Sequence, residues 1–395
     1  MTRSIARTLQ PRLEALSAQM PAVIVTGPRQ AGKTTLCRMT WPHLPYVNLE
    51  RPDQRRFAQS DPVALLRSYP DGVILDEVQR VPELSSWIQA EIDEDRRPGR
   101  FVLTGSEQLR LTQHTSQSLA GRAVYAHLLP LDLAERAHLI EPDAGFASAV
   151  LRGGYPALYS QPVERDVWLS AYTQSYLERD VRSLRAIGDL GRFQDFLALA
   201  AGRTAQALNL SRFASDVGAS GPTIKSWLSV LEASFVALRL RSWQKNLGKR
   251  VIRAPRLHFW DSGLLCHLLG IHDAEQLFTH PLRGSIFESF VVSELLKMAH
   301  HRGERPEAYF YRDQSGLEVD LLLRRPSHYL ALEVKSAATV SDSFFRSLTR
   351  FGQLAAQGLD HLPVRRVVVY GGDERQRRCD VEVVPWRELP SLLDD

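Results

Sequence analysis

The stretch PAVIVTGPRQAGKTTLCRM (residues 21–39) joins a short apolar run to a glycine-containing turn and then to residues that favour a helix. From Gly27 to Thr34 it fits the spacing G-x-x-x-x-G-K-[ST] at every fixed position. In this motif backbone N–H groups surround a phosphate at the start of a helix, the lysine reaches the β- and γ-phosphates, and the threonine hydroxyl faces Mg²⁺. The stretch therefore predicts a strand, a nucleotide-binding loop and a helix within an α/β fold.

The predicted ATP contacts form one continuous run, from the first glycine of the motif to the residue after its threonine. An ordinary strand–turn–helix without a ligand is the alternative, but it would not require this spacing. The threonine of the motif, Thr34, is also a predicted ligand of Mg²⁺. The run consists of Gly27, Pro28, Arg29, Gln30, Ala31, Gly32, Lys33, Thr34 and Thr35.

A second apolar strand, GVILDEV (72–78), contains two adjacent acidic residues near its end. It follows the nucleotide-binding loop with another strand, YVNLE (46–50), between them. We expect Asp76 to bind Mg²⁺ and Glu77 to polarise the water that attacks the γ-phosphate. Such an acidic ending can also cap a helix, and it is the position after the loop that favours the catalytic interpretation.

Two further residues are candidates for contacts with the γ-phosphate. The apolar strand RFVLTGS (100–106) ends in hydroxyl side chains, and we assign the contact to Ser106, with Thr104 or simple turn formation as alternatives. Arg122 stands just before the next apolar run. We predict that Arg122 acts on the nucleotide of a neighbouring subunit; the alternative is a solvated surface arginine.

The composition of the whole chain limits the function classes. Its 395 residues are too many for one compact core and indicate two or three domains. Hydrophobic residues make up 44% and charged residues 24%, which argues against a disordered chain. The three cysteines are far apart, which excludes a disulfide framework and a cysteine-based metal site. With no apolar run as long as a membrane span and no signal peptide, we predict a cytoplasmic protein without a membrane partner.

The middle of the chain predicts a helical lid followed by a winged-helix-like region. Residues 160–200 are rich in helix formers, and residues 207–243 have the rhythm of two helices around a turn, followed by a strand. The segment from Arg239 to Arg256 holds seven basic residues and no acidic one. A winged helix uses its second helix and its wing to contact DNA, and the basic residues neutralise phosphates. Packing within the protein is the alternative role for this region.

Charged residues interrupt two apolar strands in LEVDLLLRRPSHYLALEVKSA (317–337). Glu333 and Lys335 share a face because alternate residues of a strand do so, and Asp320 on the neighbouring strand can converge with Glu333. Asp320 and Glu333 are predicted ligands of Mg²⁺ or Mn²⁺, with Glu288 from a preceding helix as an additional acid. Lys335 would activate water or stabilise charge on a phosphate. Salt bridges in a scaffold without activity are the alternative.

The elements around this stretch predict the order αβββαβ, which is the core of the restriction-endonuclease-like fold. The predicted elements are a helix at 284–301, strands at 307–312, 317–323 and 329–335, a helix at 341–357 and a strand at 365–372.

Taken together, these motifs make the chain resemble a large prokaryotic family of ATP-binding proteins. Members of that family join an AAA-type P-loop ATPase to a C-terminal domain of the PD-(D/E)xK nuclease superfamily. The resemblance implies an ATPase domain at 1–150, a lid and winged-helix-like region at 151–270, and a nuclease-like domain at 271–395. Val319 stands where the superfamily has the proline of its name. The matching stretches are TGPRQAGKTTL, VILDEVQRVPEL, FVLTGS, LAGR (119–122), RGGYPAL (152–158) and WDSGLL (260–265).

The sequence as a whole predicts an ATP-hydrolysing, DNA-associated protein that couples nucleotide turnover to a nuclease-like domain. The predicted cofactors are ATP and Mg²⁺, with Mn²⁺ as a second choice at the nuclease-like site. The predicted partners are DNA and further copies of the chain, which can form a ring. The alternative is a nucleotide-dependent regulatory switch whose C-terminal domain binds DNA or a protein partner without cleaving it.

Overall fold

The computed structural model describes residues 5–105, 119–176, 190–243, 254–355, 362–378 and 380–394. Ser106 lies outside these ranges, and so do residues 244–253, which contain much of the predicted basic segment. No helix within the described ranges is long and apolar enough to cross a membrane.

The first sheet consists of five parallel, mainly apolar strands, of which β1, β3 and β4 are buried throughout and the outer strands β2 and β5 are partly buried. Its spatial order is β2-β3-β4-β1-β5, so the strand before the nucleotide-binding loop has a neighbour on each side. This arrangement confirms the predicted α/β fold with a parallel sheet. The strands are β1 (Ala22–Thr26), β2 (Tyr46–Asn48), β3 (Val73–Asp76), β4 (Phe101–Gly105) and β5 (Ala123–His127).

Helices cover both sides of this sheet, and the carboxyl ends of its strands meet at one edge, where ligands of open α/β sheets bind. The helices are α1 (Gln10–Ser17), α2 (Lys33–Thr40), α3 (Pro52–Ser60), α4 (Pro62–Arg67), α5 (Leu84–Glu94) and α6 (Leu133–Arg136), with 3₁₀ turns at Val78–Arg80 and Ala137–Leu139.

The middle of the chain is helical. Asn209 and Ser220 accept hydrogen bonds from backbone N–H groups at the starts of two successive helices, and Gly218 ends the first of them in the left-handed region at φ 68°. Aromatic rings, among them Phe196 and Trp227, pack these helices together. The helices are α7 (Phe146–Arg152), α8 (Ala157–Ser160), α9 (Arg165–Ser175), α10 (Leu190–Ala201), α11 (Leu210–Val217) and α12 (Gly221–Ala233).

The second sheet has eight strands in the order β12-β13-β11-β10-β9-β8-β6-β7. Its strands are β6 (Ala237–Ser242), β7 (Arg256–Phe259), β8 (Glu307–Arg312), β9 (Glu318–Arg324), β10 (Tyr329–Lys335), β11 (Val364–Tyr370), β12 (Gln376–Arg378) and β13 (Val381–Pro385). The accompanying helices are α13 (Ser262–Leu268), α14 (Ala274–Thr279), α15 (Arg283–His301) and α16 (Arg346–Ala355), with 3₁₀ helices at Asp342–Phe345 and Trp386–Leu393.

The element order α15-β8-β9-β10-α16-β11 is the order that the sequence predicts for this part of the chain. The structure adds β6, which lies in the segment that the sequence predicts as a wing, and β7, which the sequence does not predict. Strand β6 pairs with β8 in parallel, with Arg241 opposite Tyr309 and Ser242 opposite Phe310. This pairing gives hydrogen-bond partners to the backbone groups at the edge of β8, which would otherwise be exposed and unpaired. The strand of the predicted wing is therefore part of the C-terminal sheet.

Candidate functional site

The nucleotide-binding loop connects β1 to α2 and depends on two glycines. A Cβ on Gly27 would lie 1.9 Å from the carbonyl oxygen of Leu128, so a larger residue does not fit there. Gly32 has φ 93° and precedes α2, a conformation that strongly favours glycine. The ammonium of Lys33 is buried and donates hydrogen bonds to the carbonyl oxygens of Gly27 (3.0 Å) and Pro28 (2.7 Å). These contacts hold the lysine against the loop.

Asp76 lies next to the start of α2, and its carboxylate accepts hydrogen bonds from several hydroxyl groups. The Thr34 hydroxyl donates to its Oδ2 at 2.8 Å, and the Tyr46 hydroxyl donates to the same oxygen at 2.6 Å. The Thr104 hydroxyl donates to Oδ1. The structure thus brings together Thr34 and Asp76, the two residues predicted to bind Mg²⁺.

The sequence did not assign a role to Tyr46, because a tyrosine in a buried strand is ordinary packing. Burial and the neighbouring carboxylate of Asp76 raise the pKa of its hydroxyl far above the usual value, so Tyr46 remains a hydrogen-bond donor. Thr104, the alternative to Ser106, contacts Asp76 at the end of β4.

Glu77 follows β3 in a backbone conformation that is rare for a residue with a side chain. Its φ is 60°, in the left-handed region, and the Gln79 side-chain amide donates to its Oε2. Burial is the largest cause that raises the pKa of Glu77. A glutamate with a raised pKa is a stronger base, which suits the predicted role in activating water.

A cavity of about 760 Å³ opens beside the loop, which is within the range of small-molecule sites. Loop residues form one wall, and residues of the predicted lid form another. The lining includes Arg29, Gln30, Ala31, Gly32, Lys33, Thr34, Thr35, Glu50 and Glu77 on the loop side, Ile5 and Arg7 from the N-terminal segment, and Pro156, Ala157, Ser160, Gln161 and Tyr172 from the middle region.

Arg122 forms an ion pair on the surface of its own chain. Its Nε and Nη2 each donate to a carboxylate oxygen of Asp93, both at 2.7 Å. This pair lies at the start of β5, and about a quarter of the Arg122 side chain is exposed. Action on a neighbouring subunit would require Arg122 to exchange this partner.

In the C-terminal sheet, Asp320 and Glu333 are buried on adjacent strands. Asp320 Oδ2 accepts a hydrogen bond from the backbone N–H of Val334 at 2.8 Å, which fixes the carboxylate across the strand pair. Glu333 Oε1 is 2.5 Å from the ammonium of Lys335. Glu333 Oε2 is buried and has no hydrogen-bond partner among the residues that the structure describes. Burial and the nearby Asp320 raise the pKa of Glu333 to about 7.

Arg256 occupies the same cleft, where the sequence had counted it in a basic surface segment. That prediction is wrong for Arg256, whose exposure is 2%. Its Nη1 lies 3.0 Å from Glu288 Oε1 and 3.5 Å from Asp320 Oδ1, and its Nη2 contacts Glu318. Burial among these acids raises the pKa of Glu288 well above its usual value. The guanidinium therefore bridges carboxylates that were expected to surround a metal.

Sequence reasoning missed both Arg256 and Glu318 as members of this cleft. Glu318 could have been found, because it stands two residues before Asp320 and so shares its strand face. Arg256 could not, because it lies far away in the sequence and in a segment that was assigned to another domain.

Among the described residues, one group of three metal-type side chains has ligand atoms that all lie within 4.8 Å of one another, and it consists of Asp132, Glu135 and His301. Protein contacts already use these atoms. His301 Nδ1 is 2.6 Å from Asp132 Oδ2, and His301 Nε2 accepts from the N–H of Leu129 at 3.1 Å. Arg7 Nε donates to Glu135 at 3.0 Å. The group is a structural network rather than a metal site.

This network connects the nucleotide-binding loop to α15. Arg7 Nη1 donates to the carbonyl oxygen of Ala31 in the loop at 2.8 Å. Further along α15, Glu294 forms a buried ion pair with Arg136 at 2.6 Å, and the Lys297 ammonium donates to the Leu131 carbonyl oxygen at 3.2 Å. Glu288 of the C-terminal cleft lies on the same helix.

Three family descriptions match successive parts of the chain. Residues 19–137 match an AAA domain, residues 144–275 match a domain of unknown function (DUF8612), and residues 283–389 match another domain of unknown function (DUF4143). The first of these matches confirms the predicted AAA-type ATPase domain.

Two mycobacterial proteins and one archaeal structure are similar to the chain. The uncharacterized proteins Rv2008c of Mycobacterium tuberculosis and Mb2031c of Mycobacterium bovis are each 31% identical to it over 381 residues, which covers 94% of this chain and 81% of each relative. The Walker-type ATPase PABY2304 of Pyrococcus abyssi is 16% identical with a TM-score of 0.44, covering 66% of this chain and 94% of that chain.

Proposed function

Because the chain belongs to one family with the mycobacterial proteins Rv2008c and Mb2031c and carries an AAA domain, we propose that it is a Mg²⁺-dependent ATPase that works on DNA. In this proposal, nucleotide turnover in the AAA domain controls a nuclease-like C-terminal domain. The observation that carries the proposal is the contact between Thr34 and Asp76 beside Lys33 at the start of α2.

The arrangement of these three residues supports binding and hydrolysis of Mg-ATP. Lys33 would hold the β- and γ-phosphates, and Thr34 with Asp76 would hold Mg²⁺. Mg²⁺ held by these residues would supply positive charge against the negative charge that develops on the transferred phosphate. Glu77, with its raised pKa, would orient and deprotonate the attacking water.

The C-terminal cleft supports a second cation site of oxygen ligands. Glu333 Oε2 is buried without a partner, and buried polar atoms normally have one, so the residues present fit a cation at this point. Asp320 and Glu333 would hold it, and Glu288 would assist from α15. A metal at such a site supplies charge stabilisation for an attacked phosphate. Lys335, beside Glu333, would position water.

Exposed positive charge in the middle region supports a DNA partner. Lys225 on α12 is exposed, Thr223 and Ser226 are partly exposed on the same helix, and Arg241 extends the basic segment along β6. These side chains would contact the phosphate backbone, and such contacts weaken as salt rises.

The buried contacts along α15 support coupling between the two sites. Arg7 touches the loop at Ala31 and is linked through Glu135 to His301, and Glu288 lies on the same helix as His301. A change in the loop on nucleotide binding would therefore be transmitted to α15, a helix of the second site.

Arg122 supports a homo-oligomer, because its guanidinium can reach solvent at the surface of the AAA domain.

Replacing Asp320 with asparagine should lower metal-dependent DNA cleavage at least roughly 100-fold, because a neutral amide is a poor ligand for a divalent ion. ATP hydrolysis should continue, since Asp320 is not part of the nucleotide site. Cleavage of plasmid and branched DNA in Mg²⁺ or Mn²⁺ measures the first quantity, and phosphate release measures the second. Asp342→Ala is the matched control, because Asp342 is an exposed carboxylate of the same domain. Equal cleavage by the Asp320→Asn variant and wild type would rule out a metal at this position.

The second candidate function is a nucleotide-dependent switch whose C-terminal domain binds DNA or protein without cutting it. One observation favours it: cationic side chains of the chain itself contact the acids of the cleft, Arg256 with Glu288 and Asp320, and Lys335 with Glu333. Wild-type protein that hydrolyses ATP, binds DNA and cuts none of these DNAs in either metal would select this function.

A further inference from the structure

We propose that Arg256 is a built-in cation that closes the C-terminal cleft to divalent metal, so that metal binds only when the Arg256 guanidinium withdraws. This inference rests on the proposed metal site and names the way in which that site is regulated. It assigns to one side chain of β7 control over a site formed by β9, β10 and α15.

The Arg256 guanidinium contacts three of the four acidic side chains of the cleft. Its Nη1 is within 3.0 Å of Glu288 and 3.5 Å of Asp320, and its Nη2 pairs with Glu318. Its flat face lies over the ring of Phe310, with the guanidinium carbon 4.6 Å from the ring centroid. Pairing, stacking and burial of the side chain together define one position for this group.

A divalent ion and the guanidinium would compete for the same oxygens. Carboxylate oxygens lie about 2.0–2.1 Å from Mg²⁺, so an ion bound to Glu288 Oε1 and Asp320 Oδ1 would press against Nη1. Two cations at that separation in a poorly solvated cleft repel strongly. Occupancy by metal therefore requires Arg256 to move, whereas Glu333 Oε2 has no partner to lose.

The charges of the cleft favour replacement of the Arg256 guanidinium by a divalent cation over a cleft that holds neither. Four carboxylates face Arg256 and Lys335, with Arg312 reaching Glu318 at the exposed rim at 3.4 Å. The acids outnumber the cations, so the loss of Arg256 leaves four acidic side chains facing two cations, Lys335 and Arg312. Such a cleft takes up a small divalent cation, because burial of unpaired charge is costly.

The middle of the chain fixes the backbone that carries Arg256. In β7, Arg256 pairs with Leu240 of β6 on one side and forms a bridge with Ala207, in the loop between α10 and α11, on the other. The N–H of Leu208 donates to the carbonyl oxygen of Pro255 at 2.9 Å. A shift of this loop would therefore carry the guanidinium with it. The affinity of the cleft for metal would then depend on the position of the middle helices, which are the proposed DNA-contacting elements.

The test measures Mn²⁺ binding by the nucleotide-free, full-length protein. Electron paramagnetic resonance monitors the concentration of free Mn²⁺. We expect Arg256→Met to bind Mn²⁺ at least tenfold more tightly than wild type. The gain should disappear in the double variant Arg256→Met/Asp320→Asn. Arg239→Met is the matched control, since Arg239 lies on the adjoining strand β6 and forms an ion pair with Glu232 of α12. Its removal should leave Mn²⁺ binding unchanged.

Thermal unfolding provides a second readout that does not depend on cleavage. Without metal, Arg256→Met should unfold at a lower temperature than wild type, because buried acids lose their partner, and Mn²⁺ should restore much of the loss. If Arg256→Met does not fold, Arg256→Lys replaces it. That variant keeps the charge but loses the forked contact, so a smaller gain in Mn²⁺ affinity is expected.

Two results would overturn the inference. One is equal Mn²⁺ affinity in wild type and the Arg256 variants. The other is tight Mn²⁺ binding by wild type that Asp320→Asn abolishes, because the metal would then coexist with Arg256. Neither result decides whether the protein cuts DNA. A gain in metal affinity without cleavage by wild type or variant would support the control by Arg256 while removing the nuclease activity from the proposed function.

Discussion

Lys33→Ala will lower the rate of ATP hydrolysis by roughly 10²–10³-fold, because one preorganised charge on the transferred phosphate is lost. The ammonium group of Lys33 is buried and held by two carbonyl oxygens of the loop, so solvent or a neighbouring side chain cannot readily replace it. Nucleotide affinity should fall as well, since the proposed role of the lysine is to contact the phosphates before and during transfer. Phosphate release and binding of a fluorescent ATP analogue measure the two effects.

Glu77→Gln is the matched variant, because it removes the base and leaves phosphate contacts intact. Binding of ATP should stay close to wild type while hydrolysis falls by roughly 10²–10⁴-fold, the usual contribution of a general base. The left-handed backbone at residue 77 is retained, since glutamine and glutamate differ little in conformational preference. Wild-type hydrolysis in both Lys33→Ala and Glu77→Gln would show that this loop is not the catalytic site.

Arg122→Ala will reduce ATP hydrolysis by roughly 10³–10⁵-fold if Arg122 reaches the nucleotide of a neighbouring subunit, as proposed. Arg122 and Asp93 pair at the surface of a single chain, and assembly would redirect the guanidinium across the subunit interface. Mixing Arg122→Ala with Lys33→Ala protomers should restore part of the activity, because some interfaces then combine an intact loop with an intact arginine.

Asp93→Ala separates this role from a structural one. If Arg122 only stabilises the surface through its ion pair, Asp93→Ala and Arg122→Ala should have the same small effect on hydrolysis. If Arg122 acts on a neighbour, Asp93→Ala should leave activity near wild type. If ATP hydrolysis does not recover at any mixing ratio and the protein has a monomeric mass in ATP, the proposed action of Arg122 on a neighbouring subunit is contradicted.

Much of the AAA domain could be predicted because its chemistry is local in sequence. The motif from Gly27 to Thr34 requires a strand before it and a helix after it, and both are present. Asp76 could be predicted because it ends an apolar strand that follows the loop with one other strand between them. The order of the elements from α15 to β11 could also be predicted, since each has its own periodicity of apolar residues.

The rest depends on contacts between distant residues, which no local pattern encodes. Arg256 looked like one more charge in a basic segment, yet the strand that carries it pairs into the second sheet and buries its side chain. The pairing of β6 with β8 joins residues that are far apart in the sequence, such as Arg241 and Tyr309. Arg7 carried no signal at all, although it joins the loop to Glu135.

The central claim is that the nucleotide site and DNA are coupled, and the most direct test is the rate of ATP hydrolysis by full-length wild type with and without DNA. Linear duplex, single-stranded and branched DNA should be compared at low salt. The account predicts that at least one of them raises the rate, and that the stimulation falls steeply as salt rises, because phosphate contacts release counterions. A rate of ATP hydrolysis that is the same with and without each of these DNAs at low salt would contradict it.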